Sequence, residues 1–210
     1  MTRLRLWLIG FVALALVIGG VYAWWSLDYR WRPKSIERRQ AEIAKLLDGA
    51  GWVSPGQTGP KVYVITYGGC ADCAALAAEA LPKLQAAGVD TRLIVIARAD
   101  ANGLAQSTPV DRTTVAELWL NRSWRLLERW DAAGSRWTAP GLPLADGDMA
   151  RTAVVEAGRK LAADLKPLLK ANGLTFGYPT VIWWRKDGVM RGCVCQKKPS
   201  YRFVLKELAA

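Results

Sequence analysis

Lys61 to Tyr67 runs directly into Gly68-Gly69 and then into Cys70-Ala71-Asp72-Cys73. The first seven residues are mostly β-branched or aromatic, with no clear polar face. That is the pattern of a strand buried on both sides. Cys73 to Ala87 is rich in Ala and Leu and predicts a helix, kinked where Pro82 removes a backbone bond and ended by Gly88. Thr91 to Ala97 reads as a second buried strand. Together they make one β-α-β unit, which implies a parallel pair with a right-handed crossover. Two cysteines three residues apart, opening the helix of such a unit, restrict the fold and the chemistry more than any other feature.

The first turn of a helix presents unpaired N–H groups and partial positive charge. A thiolate at that position is stabilised, so Cys70 is the expected nucleophile. Cys73, one turn in, is placed to resolve a mixed disulfide made by Cys70. On this reading Cys70 is exposed and Cys73 buried. The competing readings are a plain structural disulfide and half of a zinc site. The chain has 210 residues and no histidine. Ser-His-Asp hydrolases, Cys-His proteases and His-ligated metal sites are thereby excluded, and thiol chemistry must run without a His base.

Beyond the second strand the chain changes character. Asp111 to Trp130 predicts a helix, Ser135 to Asp146 a loop, and Asp148 to Ala171 a helix interrupted near Pro167 and closed by Asn172-Gly173. Residues 98–175 therefore read as a helical insertion. Strands return at Thr180 to Trp184 and Val189 to Cys195, joined at Asp187-Gly188, a type I′ hairpin signal. Pro199 opens a last helix to about Leu208. Upstream, residues 35–48 predict a helix capped by Ser35. Ser54 to Pro60 reads as a linker, so the compact domain is expected to begin near Lys61. Most of the eleven tryptophans are expected at the core or its edge, with a few lining a groove for unfolded polypeptide.

The N-terminus carries an uncharged run from Trp7 to Ser26 behind Arg3 and Arg5. It is about long enough to span a bilayer core of roughly 30 Å. Trp7 at one end and Trp24, Trp25 and Trp31 at the other suit the two membrane interfaces. Val21-Tyr22-Ala23 also fits a cleavage site, so an uncleaved anchor and a removed signal peptide are both open. Orientation is ambiguous by charge, because Arg30, Arg32, Lys34, Arg38 and Arg39 follow the span. The thiol chemistry favours export. The net charge of +11 lies mainly near the membrane segment and in the seven bases between Arg185 and Lys206. Headgroup contact and a solvated face account for these clusters without nucleic acid.

Cys70-Ala71-Asp72-Cys73 followed by Gly177-Tyr178-Pro179-Thr180 resembles the two signatures of the thioredoxin superfamily, its redox motif and its cis-proline loop. The order of β-α-β unit, hairpin and terminal helix is similar from Lys61 to Leu208. The insertion resembles that of the bacterial periplasmic disulfide oxidoreductases and isomerases, the Dsb group, and the anchor resembles that of tethered members. The resemblance implies an α/β thioredoxin-like fold with a helical insertion, preceded by a transmembrane helix. It implies three regions: an anchor at 1–26, a juxtamembrane helix and linker at 27–60, and the thioredoxin-like domain at 61–210. It implies a cis Pro179 beside the cysteines, with the backbone of Tyr178 free to pair with an extended substrate chain. It also implies thiol–disulfide exchange on cysteine-containing envelope polypeptides, with a redox partner, no cofactor and no resident metal. The soluble domain would lie in the periplasm, tethered to the inner membrane or released by cleavage. Two departures stand out. Asp72 places a negative charge beside the thiols, which opposes the thiolate and tunes the pair towards reduction. Residues 26–60 are too short for an isomerase dimerisation domain. The alternative function is a non-catalytic thioredoxin-fold subunit of an envelope, secretion or conjugation assembly.

Cys193 and Cys195 form a second pair. Alternation along a strand puts both on one side, with Cα atoms roughly 6.6 Å apart, near the outer limit for a disulfide. A bond there is expected to be strained and easily reduced, making a second redox pair near the first. A structural or idle pair, and a four-thiolate zinc site shared with Cys70 and Cys73, are the other readings.

Overall fold

The computed structural model describes the backbone of residues 2–209 and the side chains of residues 7–209. It divides into two units at Arg32/Pro33. The first unit is helix α1 (Thr2–Leu27) and a 3-10 turn at Tyr29–Trp31. The stretch Trp7–Trp31 is 25 residues long and apolar enough to cross a membrane, and none of it is buried within the protein. At its C-terminal end the Arg30 guanidinium stacks over Trp31 at 4.5 Å and Trp25 at 5.4 Å. Arg32 donates to Asp28 at 2.7 Å. An aromatic and cationic cluster of this kind suits a headgroup layer.

The second unit is built on a five-stranded sheet of order β1-β5-β4-β2-β3. Strands β2 (Lys61–Tyr67) and β3 (Asp90–Ile96) run parallel, and β4 (Thr180–Trp184) lies antiparallel to β2 with Ile65 opposite Thr180. Strand β5 (Met190–Val194) pairs antiparallel with β4, and the two-residue β1 (Lys34–Ser35) closes the edge against β5. Alternation along the strands gives the sheet two apolar faces. Val62, Val64, Val181, Trp183 and Cys193 pack with α3 (Ala71–Glu79), α4 (Leu81–Ala86) and α8 (Lys198–Leu208). The same apolar layer takes in α5 (Pro109–Asn121) and α6 (Trp124–Ala133). Tyr63, Ile65, Ile94, Ile182 and Met190 pack with α2 (Gln40–Asp48) and α7 (Met149–Lys170). This is a thioredoxin-like α/β fold with a helical insertion of α5, α6 and α7 between β3 and β4.

Several local expectations are revised. The compact unit begins at Pro33, not near Lys61. Ser35 does not cap a helix; it pairs with Arg191, and Ile36 donates its N–H to the Met190 carbonyl at 2.9 Å while fully buried. Tertiary pairing at the sheet edge thus outweighs local helix propensity. The expected helix 111–130 is two helices, because Arg122 adopts a left-handed conformation (φ 49°) and Ser123 caps α6. Helix α7 runs unbroken through Pro167. In the β4–β5 hairpin only Gly188 has positive φ (81°), and Gly188 N–H donates to the Arg185 carbonyl at 2.9 Å. That is a three-residue loop closed by a glycine bulge, not a type I′ turn.

Candidate functional site

The chain leaves β2 at Tyr67 and must turn sharply to begin α3. Gly69 makes the turn with φ 78°, a left-handed conformation that glycine adopts at no steric cost. Gly68 has another reason to lack a side chain. A Cβ there would stand 2.5 Å from Cζ2 of Trp130 and 3.1 Å from Oδ1 of Asp111. The insertion therefore lays an indole over the strand end, and α3 starts beneath it.

Cys70 is the N-cap of α3, and its Sγ accepts the Cys73 N–H at 3.1 Å. Cys70 and Cys73 are joined by a disulfide with Cα atoms 5.2 Å apart. Once the pair is reduced, the same N–H and the partial positive charge of the helix end favour charge on Cys70. One expectation is corrected: Cys70 is buried like Cys73, at 6% and 8% exposure. Both cysteines line a cleft that residues of the insertion also line.

The pair borders a cleft of roughly 840 Å³. Val64, Leu93 and Val95 of the sheet line its floor. Leu76 of α3, Leu127 and Trp130 of α6, and Trp137 line it as well. Asp111 and Asp131 are the carboxylates on its wall. Asp111 closes the capping box of α5 with Thr108. Asp131 stands at the solvent side, and the protein mass around it holds its carboxyl above the usual carboxylate range. Trp130 is one of the tryptophans expected at the core edge or in a groove and is buried at the cleft, whereas nothing in the local sequence marks Asp131.

The Tyr178–Pro179 peptide bond is cis. Thr180 follows it opposite Ile65, so Tyr178 and Pro179 sit at the end of the sheet from which Cys70 emerges. The Tyr178 ring packs edge-on against Tyr67 at 5.1 Å and Phe176 at 5.2 Å, and Arg98 lies over Tyr67 at 4.0 Å. Burial pushes the Tyr178 hydroxyl up to about 12. The Tyr178 backbone is not wholly free, because its carbonyl accepts Gln196 Nε2 at 3.1 Å.

Asp72, in the first turn of α3, meets Lys197 Nζ at 3.6 Å, and Lys198 pairs with Glu79 further along. The lysines that open α8 thus face the acids of α3, a pairing that sequence distance concealed. Cys193 and Cys195 are also joined by a disulfide, and both are buried, at 5% and 0% exposure. Their Cα atoms are 5.3 Å apart, closer than in an extended strand, because β5 ends at Val194.

No family model matches this chain, and no curated protein sequence matches it. Among solved structures it is similar to the MdbA protein, a thiol-disulfide oxidoreductase from Corynebacterium diphtheriae. The identity is 14% and the TM-score 0.39, over 80% of this chain and 99% of that one.

Proposed function

We propose that the protein is a membrane-tethered thiol–disulfide oxidoreductase acting on extracytoplasmic polypeptides. The observation that carries this reading is the Cys73 N–H aimed at Cys70 Sγ at 3.1 Å, at the start of a helix entered through Gly68-Gly69. It supplies thiolate stabilisation to a chain with no histidine.

In the oxidising direction a substrate thiolate attacks Cys70 Sγ and breaks the Cys70–Cys73 bond. Cys73 leaves as a thiolate and takes up a proton. The substrate's second thiolate then attacks its own sulfur in the mixed disulfide. That forms the substrate disulfide and releases Cys70 as a thiolate at the helix end. The substrate loses two electrons and the Cys70–Cys73 pair gains them. A partner disulfide of higher potential restores the pair; a partner dithiol would run the cycle in reverse. The apolar cleft beside the pair is suited to side chains that a folded polypeptide would bury. Tyr178 and Pro179 form the edge along which an extended substrate chain lies, and Asp72 with Lys197 sets the charge next to the thiols.

Helix α1 anchors the protein in the inner membrane with the second unit in the periplasm. One observation favours a second reading, a non-catalytic thioredoxin-fold subunit of an envelope assembly: both sulfurs of the pair are buried. Turnover separates the two. The full-length protein in detergent is expected to reduce insulin with dithiothreitol as donor, and Cys70→Ser is expected to abolish it. Absence of turnover in the unmodified protein, with the pair shown to be reducible, would favour the subunit.

A further inference from the structure

We infer that the Cys193–Cys195 disulfide is a positioning crosslink for the catalytic site, acting through the residues at and after its second cysteine. The inference rests on the oxidoreductase reading of Cys70 and Cys73 and deepens it.

Three consecutive residues touch three parts of that site. Cys195 donates its backbone N–H to the Pro179 carbonyl at 2.9 Å. Gln196 donates Nε2 to the Tyr178 carbonyl at 3.1 Å. Lys197 brings Nζ to within 3.6 Å of Asp72 Oδ1. Strand β5 ends at Val194, and the Cys195 bond to the Pro179 carbonyl extends its pairing with β4 by one residue, so Gln196 and Lys197 lie beyond the sheet. Cys193, by contrast, is fixed in the sheet opposite Val181. The disulfide ties Cys195 to that fixed point, and Gln196 and Lys197 follow it directly. Tyr201, one turn into α8, is 3% exposed, and burial, Glu79 and Asp72 together raise its hydroxyl. The start of α8 is therefore seated against the acidic side of the redox helix.

Each contact has a chemical consequence. The Lys197 ammonium offsets the Asp72 carboxylate and so favours the Cys70 thiolate. The Gln196 amide occupies a carbonyl that an incoming substrate strand would use, so substrate must displace it. Both cysteines of the crosslink are buried, which shields the bond from external protein disulfides while Cys70 and Cys73 turn over.

The test compares full-length variants in detergent by two readouts. One is the rate of iodoacetamide alkylation at Cys70 at pH 6 after mild reduction, located by peptide mass. The other is KM against kcat for a peptide disulfide. Lys197→Gln is expected to slow Cys70 alkylation about twofold, as for an exposed ion pair. Gln196→Ala is expected to lower KM about two- to threefold, the worth of one modest hydrogen bond. Both effects should shrink or vanish when Cys193→Ala and Cys195→Ala are combined, because the crosslink-free segment no longer holds either residue in place. Full-sized effects of Lys197→Gln and Gln196→Ala in that background would overturn the inference. So would oxidation of two substrate dithiols per protein molecule without added oxidant, which would make the second pair an electron relay. If the crosslink-free variant does not fold, the two exposed-residue variants decide alone, and unchanged alkylation and KM would overturn it. Alkylation needs no turnover, so loss of the oxidoreductase reading would show as absent insulin reduction with the alkylation differences intact.

Discussion

Trp130 lies over Gly68 so closely that its Cζ2 is 2.5 Å from where a Cβ on residue 68 would stand. The contact ties the insertion to the turn that launches α3 and its Cys70–Cys73 pair. Trp130 is 7% exposed and borders the cleft beside Cys70. The strand-end glycine and the insertion tryptophan are one packing unit, 62 positions apart in the chain.

Gly68→Ala is expected to cost about 1 to 3 kcal/mol, since the indole and the Asp111 carboxylate must both move. Trp130→Ala should cost at least as much alone, through the lost burial. The pair should be clearly non-additive, with Gly68→Ala nearly neutral once Trp130 is gone. Urea unfolding of the four proteins measures this; additive losses would show that the contact is incidental.

Tyr63 gives an alkaline prediction. Burial, with a hydrogen bond to Asp48, pushes its hydroxyl up to about 12 from 10. Its oxygen also accepts Arg92 Nη1 at 2.8 Å. A raised value means that the folded state holds the proton after the unfolded chain has lost it. The contribution is therefore intact below pH 10 and is lost between pH 10 and about 12. Up to about 2 to 3 kcal/mol of stability should disappear there. Tyr63→Phe is expected to be about 1 to 2 kcal/mol less stable at pH 7 and to fall less steeply above pH 10.

Asp131 has the opposite bearing on neutral stability. Its carboxyl is held above the usual range by the surrounding protein, so the folded state favours the protonated form. Stability from this group is present at low pH and falls as pH rises through its folded value. Asp131→Asn should therefore be slightly more stable than the unmodified protein at pH 7 and equal to it near pH 3. Thermal unfolding at the two pH values checks the sign.

The β-α-β unit, the hairpin and the terminal helix were legible because period and chain breakers agree there. Lys61 to Tyr67 has no polar face, Gly68-Gly69 breaks it, and the strands Thr180–Trp184 and Met190–Val194 flank an Asp-Gly turn. What escaped depends on partners distant in sequence. Lys34-Ser35 becomes a strand only because Arg191 and Gly192 pair with it, and two residues carry no periodicity. Arg122 breaks a helix from a left-handed conformation that no glycine or proline announces. The packing of Trp130 on Gly68 joins residues distant in sequence, and the reach of Lys197 to Asp72 follows from how α8 docks; neither leaves a local pattern. The CxxC spacing placed the two sulfurs at the helix start, but not the cleft beside them.

The roles of the two sulfurs are the most direct test. Full-length Cys73→Ser and Cys70→Ser proteins, incubated with a reduced, unfolded disulfide-forming polypeptide and a mild oxidant, can be resolved by non-reducing electrophoresis and peptide mass. Cys73→Ser should accumulate a mixed disulfide through Cys70, because the resolving thiol is gone and the Cys70 sulfur sits at the helix end. Cys70→Ser should accumulate far less. Adducts forming instead through Cys73, or equal insulin reduction by both single variants and the unmodified protein, would contradict the assignment of Cys70 as the attacking and attacked sulfur.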